Sequence, residues 1–205
     1  MFPISHFNIT RTPFYYYDKT LLSNTLAKLI RLAGERNYHI HYAVKANANP
    51  EILKLIAASG IGADCVSGGE IKAALEAGFP AKKIVFAGVG KADWEIEYAL
   101  EKKIFCFNVE SAEELSVIEE LAKKKENIAS IALRINPNID AHTHEYITTG
   151  LSENKFGIPI EMLDSIFSQI QRSPHVQLVG FHFHIGSQIL NLETFHVLCE
   201  RDRKS

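Results

Sequence analysis

The chain has 205 residues, 46% of them hydrophobic and 22% charged, which excludes a disordered chain, a fibrous repeat and a disulfide-stapled miniprotein. Its 22 basic and 24 acidic side chains leave a net charge of −2, so there is no electrostatic reason to expect nucleic acid or an anionic membrane as partner. Three widely spaced cysteines, Cys65, Cys106 and Cys199, form neither a disulfide framework nor a zinc pattern. The N-terminus lacks the pattern of a signal peptide, and no apolar run approaches the roughly 20 residues that span a bilayer. These features predict a cytoplasmic protein.

The aromatic stretch Thr12–Tyr17 predicts a strand, in an N-terminal segment (residues 1–20) set apart from a domain over residues 21–205. From residue 38 onward, short apolar runs alternate with amphipathic ones. A strand over His39–Ala46 precedes a helix over Pro50–Ser59, with proline in its permitted first turn. A strand at Ala63–Ser67 leads to a helix at Gly69–Ala77, closed by Gly78. The next pairs are Ile84–Gly88 with Ala92–Lys102, then Ile104–Val109 with a helix from Ser111 to about Lys125. Ser111 and Glu114 have the spacing of a capping box. A strand at Ile131–Asn136 is followed by a polar loop, Pro137–Asn154, and a helix over Pro159–Arg172. The last strand is Val176–Ile185, and Leu190–Phe195 opens a further helix.

Regular strand–helix alternation predicts an α/β fold with a parallel sheet. No Gly-x-Gly-x-x-Gly follows the first strand, so a (β/α)8 barrel of the TIM type is favoured over the doubly wound dinucleotide fold. About six of the eight units are present, and the chain stops two units short. Strand alternation puts Ile131, Leu133 and Ile135 on one face and Ala132, Arg134 and Asn136 on the other. Val179, Phe181, Phe183 and Ile185 likewise oppose Gly180, His182 and His184. The polar face strengthens toward the carboxyl end of each strand, where barrel enzymes build their sites. Lys45, Asn108, Arg134 and His184 are therefore expected to converge there.

Lys45 ends the first strand, either as a solvent-seeking side chain or as a desolvated amine suited to a Schiff base with pyridoxal phosphate. In Phe183-His-Ile-Gly-Ser-Gln188, Gly186 permits close backbone approach, Ser187 offers a hydroxyl and an N–H to an anion, and His184 offers a planar ring. Arg134 is read either as an anion contact or as the partner of a neighbouring acid such as Asp64. The pairs His39/His41, His142/His144 and His182/His184 keep a metal-dependent hydrolase open as a rival.

Six segments together resemble the diaminopimelate decarboxylases, within the alanine-racemase-like (fold-type III) pyridoxal phosphate enzymes. The first is Tyr42-Ala-Val-Lys-Ala-Asn-Ala48, which looks like that family's cofactor-lysine strand. The others are Gly62-Ala-Asp-Cys-Val-Ser-Gly-Gly-Glu70, Phe86-Ala-Gly-Val-Gly-Lys91 and Phe107-Asn-Val-Glu-Ser111, then Arg134-Ile-Asn-Pro137 with Lys155-Phe-Gly157, and His182-Phe-His-Ile-Gly-Ser-Gln188. They cover residues about 12–195 in family order. The resemblance implies pyridoxal 5'-phosphate as cofactor and a small amino-acid substrate, meso-2,6-diaminopimelate, decarboxylated to L-lysine. It implies that Lys45 is the catalytic residue and joins the cofactor, that His184 stacks on its ring, and that Gly186 and Ser187 bind part of the phosphate. Asp64 and Arg134 would lie near the cofactor face.

Decarboxylases of ornithine, arginine or carboxynorspermidine are the nearest alternatives, followed by a non-catalytic pyridoxal phosphate-binding barrel. The family's later glycine loop, its acidic partner for the pyridine nitrogen and its C-terminal β domain have no counterpart here. The reading is therefore of a truncated chain, inactive alone, from a family expected to form homodimers. The tail from His196 to Ser205 does not resemble the expected helix continuation, as a prematurely ended or shifted reading frame would produce.

Overall fold

Side chains that alternate apolar and polar along short runs fold here as strands, and the intervening 3.6-residue patterns fold as helices. The computed structural model describes residues 4–136, 156–186, 190 and 192–202. The chain divides into two compact units, Met1–His39 and Ile40–Ser205.

The first unit holds helices α1 (Ile4–Phe7) and α2 (Lys19–Gly34). The Asp18 carboxylate accepts the Leu21 N–H at 2.9 Å and so starts α2. The boundary expected at residue 20 falls inside this helix, which the sequence reading had not identified. Residues 12–17 do not form the expected strand. A strand needs a ladder partner, and none of the described strands pairs with this stretch. The rings of Phe14 and Tyr16 instead lie 5.4 and 5.2 Å from that of Phe7.

The second unit alternates β1 (His41–Ala43), α3 (Pro50–Ala58), β2 (Gly62–Cys65), α4 (Gly68–Glu76), β3 (Ile84–Phe86) and α5 (Asp93–Lys102). It continues with β4 (Cys106–Val109), α6 (Ala112–Lys124), β5 (Ala129–Asn136), β6 (Ile158–Pro159), α7 (Leu163–Gln171), β7 (Val176–His182) and α8 (Glu193–Asp202). All ladders are parallel, in the order β1-β2-β3-β4-β5. The far side of β5 is shared: β7 pairs along Ala129–Arg134, and the two-residue β6 takes Ile135 and Asn136. The sequence reading missed β6. Each longer strand lies beside its predecessor with no reversal of order, which is the winding of a barrel and not of a doubly wound sheet. The unit is thus a partial barrel of about six strand–helix repeats.

Short side-chain devices set the helix starts. Asn49 caps α3 ahead of Pro50, accepting the Glu51 N–H at 3.0 Å. Ser67 and Ser111 accept the N–H groups of Glu70 and Glu114, each at 3.2 Å. Each glutamate then reaches back past its cap, Glu70 to the Val66 N–H and Glu114 to the Glu110 N–H, both at 2.8 Å.

Register places Ala63, Cys65, Ile84, Phe86, Phe107, Ile131 and Leu133 on one face, and all are buried. This is the core, packed among helix residues such as Leu53, Ile56, Ile71, Ile96 and Leu115. The opposite, inner face carries Asp64, Cys106, Asn108, Arg134 and His182. A β-bulge contributes to this pattern. Ile131 pairs with Leu178 but Ala132 pairs with Gly180, so Val179 is the extra residue. The bulge shifts the alternation of β7 by one and turns His182 inward beside Arg134.

Candidate active site

The first strand ends earlier than expected, at Ala43. Val44–Ala46 forms a 3-10 turn, with Val44 completely buried as its anchor. The Asn47 N–H donates to the Val44 carbonyl, and the Tyr42 hydroxyl donates to the Asn47 carbonyl, both at 3.1 Å. These bonds lift Lys45 out of the strand, and its side chain is exposed. Of the two readings of Lys45 the exposed one is found: a tight turn, closed by the Tyr42 and Asn47 of its own motif, presents Lys45 to solvent.

Asp64, on β2, pairs in register with Ala43 just before that turn. Its Oδ1 is buried and has no hydrogen-bond partner. Burial raises its pKa, the charges of Lys45 and His184 pull it back down, and Glu70 pushes it further up. The charges of Lys45 and His184 both act on Asp64. His184 is half-buried in irregular backbone beyond β7, because the strand ends at His182 and not at Ile185. Gly186 has φ +133, a conformation that side-chain-bearing residues rarely adopt. Ser187 lies outside the described residues, as do Lys155 and the whole Pro137–Asn154 loop with its His142/His144 pair.

Arg134 does not pair with Asp64. Its Nη1 donates to Glu110 Oε1 at 2.6 Å, with both side chains almost fully buried. Glu110 follows the end of β4, the neighbour of β5, which brings it closer in the ladder than β2. The Arg134 guanidinium also stands 5.7 Å from the centre of the Phe156 ring. Gly157 follows at φ +91, and a Cβ there would lie 3.0 Å from the Arg134 carbonyl and 3.1 Å from the Asn136 nitrogen. Gly157→Ala is accordingly expected to cost about 2–3 kcal/mol, read as a lowered midpoint in urea.

The sequence reading gives Lys91 and Glu114 no place in the site, and it reads His182 only as half of a metal-binding pair. Lys91 is 1% exposed and donates to Glu114 at 2.6 Å and to the carbonyls of Gly88 and Asn108 at 2.7 and 2.8 Å. Its ammonium also lies over the Phe86 ring. Glu114 looked like a cap alone, but it serves the cap and the ion pair together; its burial raises its pKa despite Lys91. His182 has a buried, unpartnered Nδ1. The available signals were a lysine inside an apolar Gly-Val-Gly-Lys run and an inward-facing histidine two residues before His184. Cys65 and Cys106 are buried thiols with raised pKa values, Cys106 to about 11, and are poor nucleophiles. Among the described residues, no three His, Cys, Asp or Glu side chains gather to hold a metal ion.

Burial first, then the charges of Arg134, His184 and Lys91, push His182 down to about 4 from 6.5. Between these values the unfolded chain binds the proton and the folded chain does not, so stability falls as pH drops through the window. The contribution is about 2–3 kcal/mol. Asp64 and Glu114 have raised values and act with the opposite sign, losing stability as pH rises through their folded pKa. The prediction is therefore a difference. His182→Gln is expected to flatten the acid limb relative to the parent in urea unfolding between about pH 7 and pH 4.5.

A family model described as the pyridoxal binding domain of pyridoxal-dependent decarboxylases matches residues 23–204. The diaminopimelate decarboxylase of Bacteroides thetaiotaomicron is 57% identical over 202 residues, covering 98% of this chain and 52% of that protein. The crystal structure of a point-mutant diaminopimelate decarboxylase from Helicobacter pylori, complexed with L-lysine, superposes with a TM-score of 0.85 at 44% identity, over 98% of this chain and 51% of that one. The diaminopimelate decarboxylase of M. jannaschii, also with L-lysine, gives 0.84 at 38% identity, over 94% and 46%. The chain spans about half the length of the curated relatives it matches. With a barrel-type sheet, a lysine presented at the end of its first strand and a family match over most of its length, the chain belongs to the pyridoxal-dependent decarboxylases, of which it carries the pyridoxal binding domain.

Proposed function

We propose that this chain is the cofactor-binding half of a decarboxylase that uses pyridoxal 5'-phosphate and converts meso-2,6-diaminopimelate to L-lysine. The observation that carries the cofactor reading is the grouping of an exposed amine, Lys45, with a buried carboxylate that has an unpartnered oxygen, Asp64, and an imidazole, His184. The residues fit the group: an amine for its aldehyde, a flat ring for its ring, and a glycine at positive φ where a phosphate needs close backbone approach. When bound, the cofactor supplies a conjugated ring that takes up the electron pair left as carbon dioxide departs.

The chain's own residues bind and orient. Lys45 is the catalytic residue and joins the cofactor. Asp64 provides the counter-charge beside the Lys45 ammonium. His184 lies on the ring, Gly186 and Ser187 receive part of the phosphate, and Arg134 sits at the cofactor face. The names of the relatives support the substrate. A cytoplasmic location and a homodimeric full-length protein complete the reading. Supporting the location, Cys65, Cys106 and Cys199 are all unpaired, and no helix among the described residues is long and apolar enough to cross a membrane.

The test is to titrate the purified chain with pyridoxal 5'-phosphate, reduce with borohydride and map the peptides. A reduced linkage on Lys45 supports the cofactor reading; a linkage spread over surface lysines, or none, overturns it. For the substrate, carbon dioxide release from meso-diaminopimelate is compared with release from ornithine and arginine, using the protein that carries this chain. Preference for either comparator overturns the substrate assignment.

A further inference from the structure

The charged groups at the carboxyl end of the sheet form one connected chain that ends on Arg134. Lys91 holds Glu114 Oε1 at 2.6 Å and, through its other hydrogens, the carbonyls of Gly88 and Asn108. Glu114 Oε2 accepts the Glu110 N–H at 2.8 Å. Glu110 Oε1 accepts from Arg134 Nη1 at 2.6 Å. The loops after β3 and β4 and the end of strand β5 are tied together in this way, and the last link sets a guanidinium. The second Glu110 oxygen, Oε2, is buried and has no partner. A buried ion pair with one oxygen unsatisfied is a weak device for stability, since apolar side chains of the same volume serve as well or better. It is a good device for direction, because a carboxylate holds a planar guanidinium at a defined angle.

We propose that Glu110 is the positioning residue for Arg134, and that affinity for pyridoxal 5'-phosphate depends on Glu110 only through Arg134. The proposal rests on the cofactor reading given above. Glu110 touches no reacting atom. It keeps the guanidinium on the inner face, where Phe156 covers it from one side. Lys91 and Glu114 hold Glu110 in turn, through its backbone.

The experiment is a double-mutant cycle read by cofactor absorbance. Pyridoxal 5'-phosphate is titrated into the parent chain, Glu110→Gln, Arg134→Gln and the double variant. Glu110→Gln is expected to weaken binding ~10-fold or more, the loss that goes with one charge-assisted hydrogen bond. In the Arg134→Gln background the same change is expected to do nothing further. If Arg134→Gln does not fold, Arg134→Lys provides the second background. A cofactor-free readout accompanies the cycle: the Arg134 Nε–H resonance should be sharp and distinct in the parent and averaged in Glu110→Gln. Unchanged affinity in Glu110→Gln, or additive losses in the double variant, overturns the proposal. If the parent itself does not bind the cofactor, the underlying reading fails. The Arg134 resonance then still decides whether Glu110 holds the guanidinium, and an unchanged resonance overturns that part as well.

Discussion

Replacing Lys45 by alanine is expected to abolish the borohydride-trapped cofactor linkage completely while moving Tm by no more than about 2 °C. The two halves of this expectation have separate causes. The linkage needs a primary amine at that position, and the turn that presents it is specific: Val44 is fully buried below, and Tyr42 and Asn47 close it from either side. Stability is indifferent because the ammonium is exposed, and exposed side chains away from caps and packing contribute about 0.5 kcal/mol or less. Lys45→Arg keeps the charge beside Asp64 but cannot form the linkage, so it is expected to behave as alanine does in trapping. Peptide mapping after reduction, together with a thermal melt of the same samples, checks both parts. Retained trapping in Lys45→Ala means that another lysine carries the linkage.

Lys91→Met is expected to have the largest effect on stability, about 3–5 kcal/mol, or a fall in Tm of roughly 10 °C. Removing the ammonium leaves Glu114 buried with an uncompensated charge and leaves the carbonyls of Gly88 and Asn108 without their donor. A protonated Glu114 offsets part of this loss, since burial already raises its pKa. The effect should therefore be smaller in mildly acidic buffer than at neutral pH. The double variant Lys91→Met/Glu114→Leu removes both charges and is expected to recover part of the loss, the non-additivity that marks a coupled buried pair. Urea unfolding of the parent, both single variants and the double measures the coupling. Additive costs would show that the two groups act independently.

The readable parts of this chain were those written in local pattern. The alternation of apolar and polar residues placed the strand–helix repeats within a few residues, and Ser111 with Glu114 marked a helix start that the structure also shows. The inner face was legible too, because Arg134 and His182 sit at polar positions in otherwise apolar strands. Helix α2 was missed although Asp18 signals its cap, since its leucines lay ahead of the first clear repeat. The strand expected at Thr12–Tyr17 had the right composition, but a strand exists only through a partner, and composition does not name one.

Sequence alone therefore determined the order of the elements, the apolar face each one buries and the residue types gathered at the carboxyl end of the sheet. These follow from side-chain period and capping, which act over a few residues. Tertiary structure decided the rest. It chose Glu110 and not Asp64 as the partner of Arg134, because pairing depends on which strands are neighbours. It made Lys45 exposed, because the strand ends at Ala43, three residues earlier than expected, and gives way to a 3-10 turn. It set His182 opposite Arg134, because a bulge at Val179 shifts the phase of β7. The ion pair and the bulge are contacts between segments tens of residues apart, where through-space geometry sets the outcome, whereas the turn at Lys45 is closed by Tyr42 and Asn47 of its own segment.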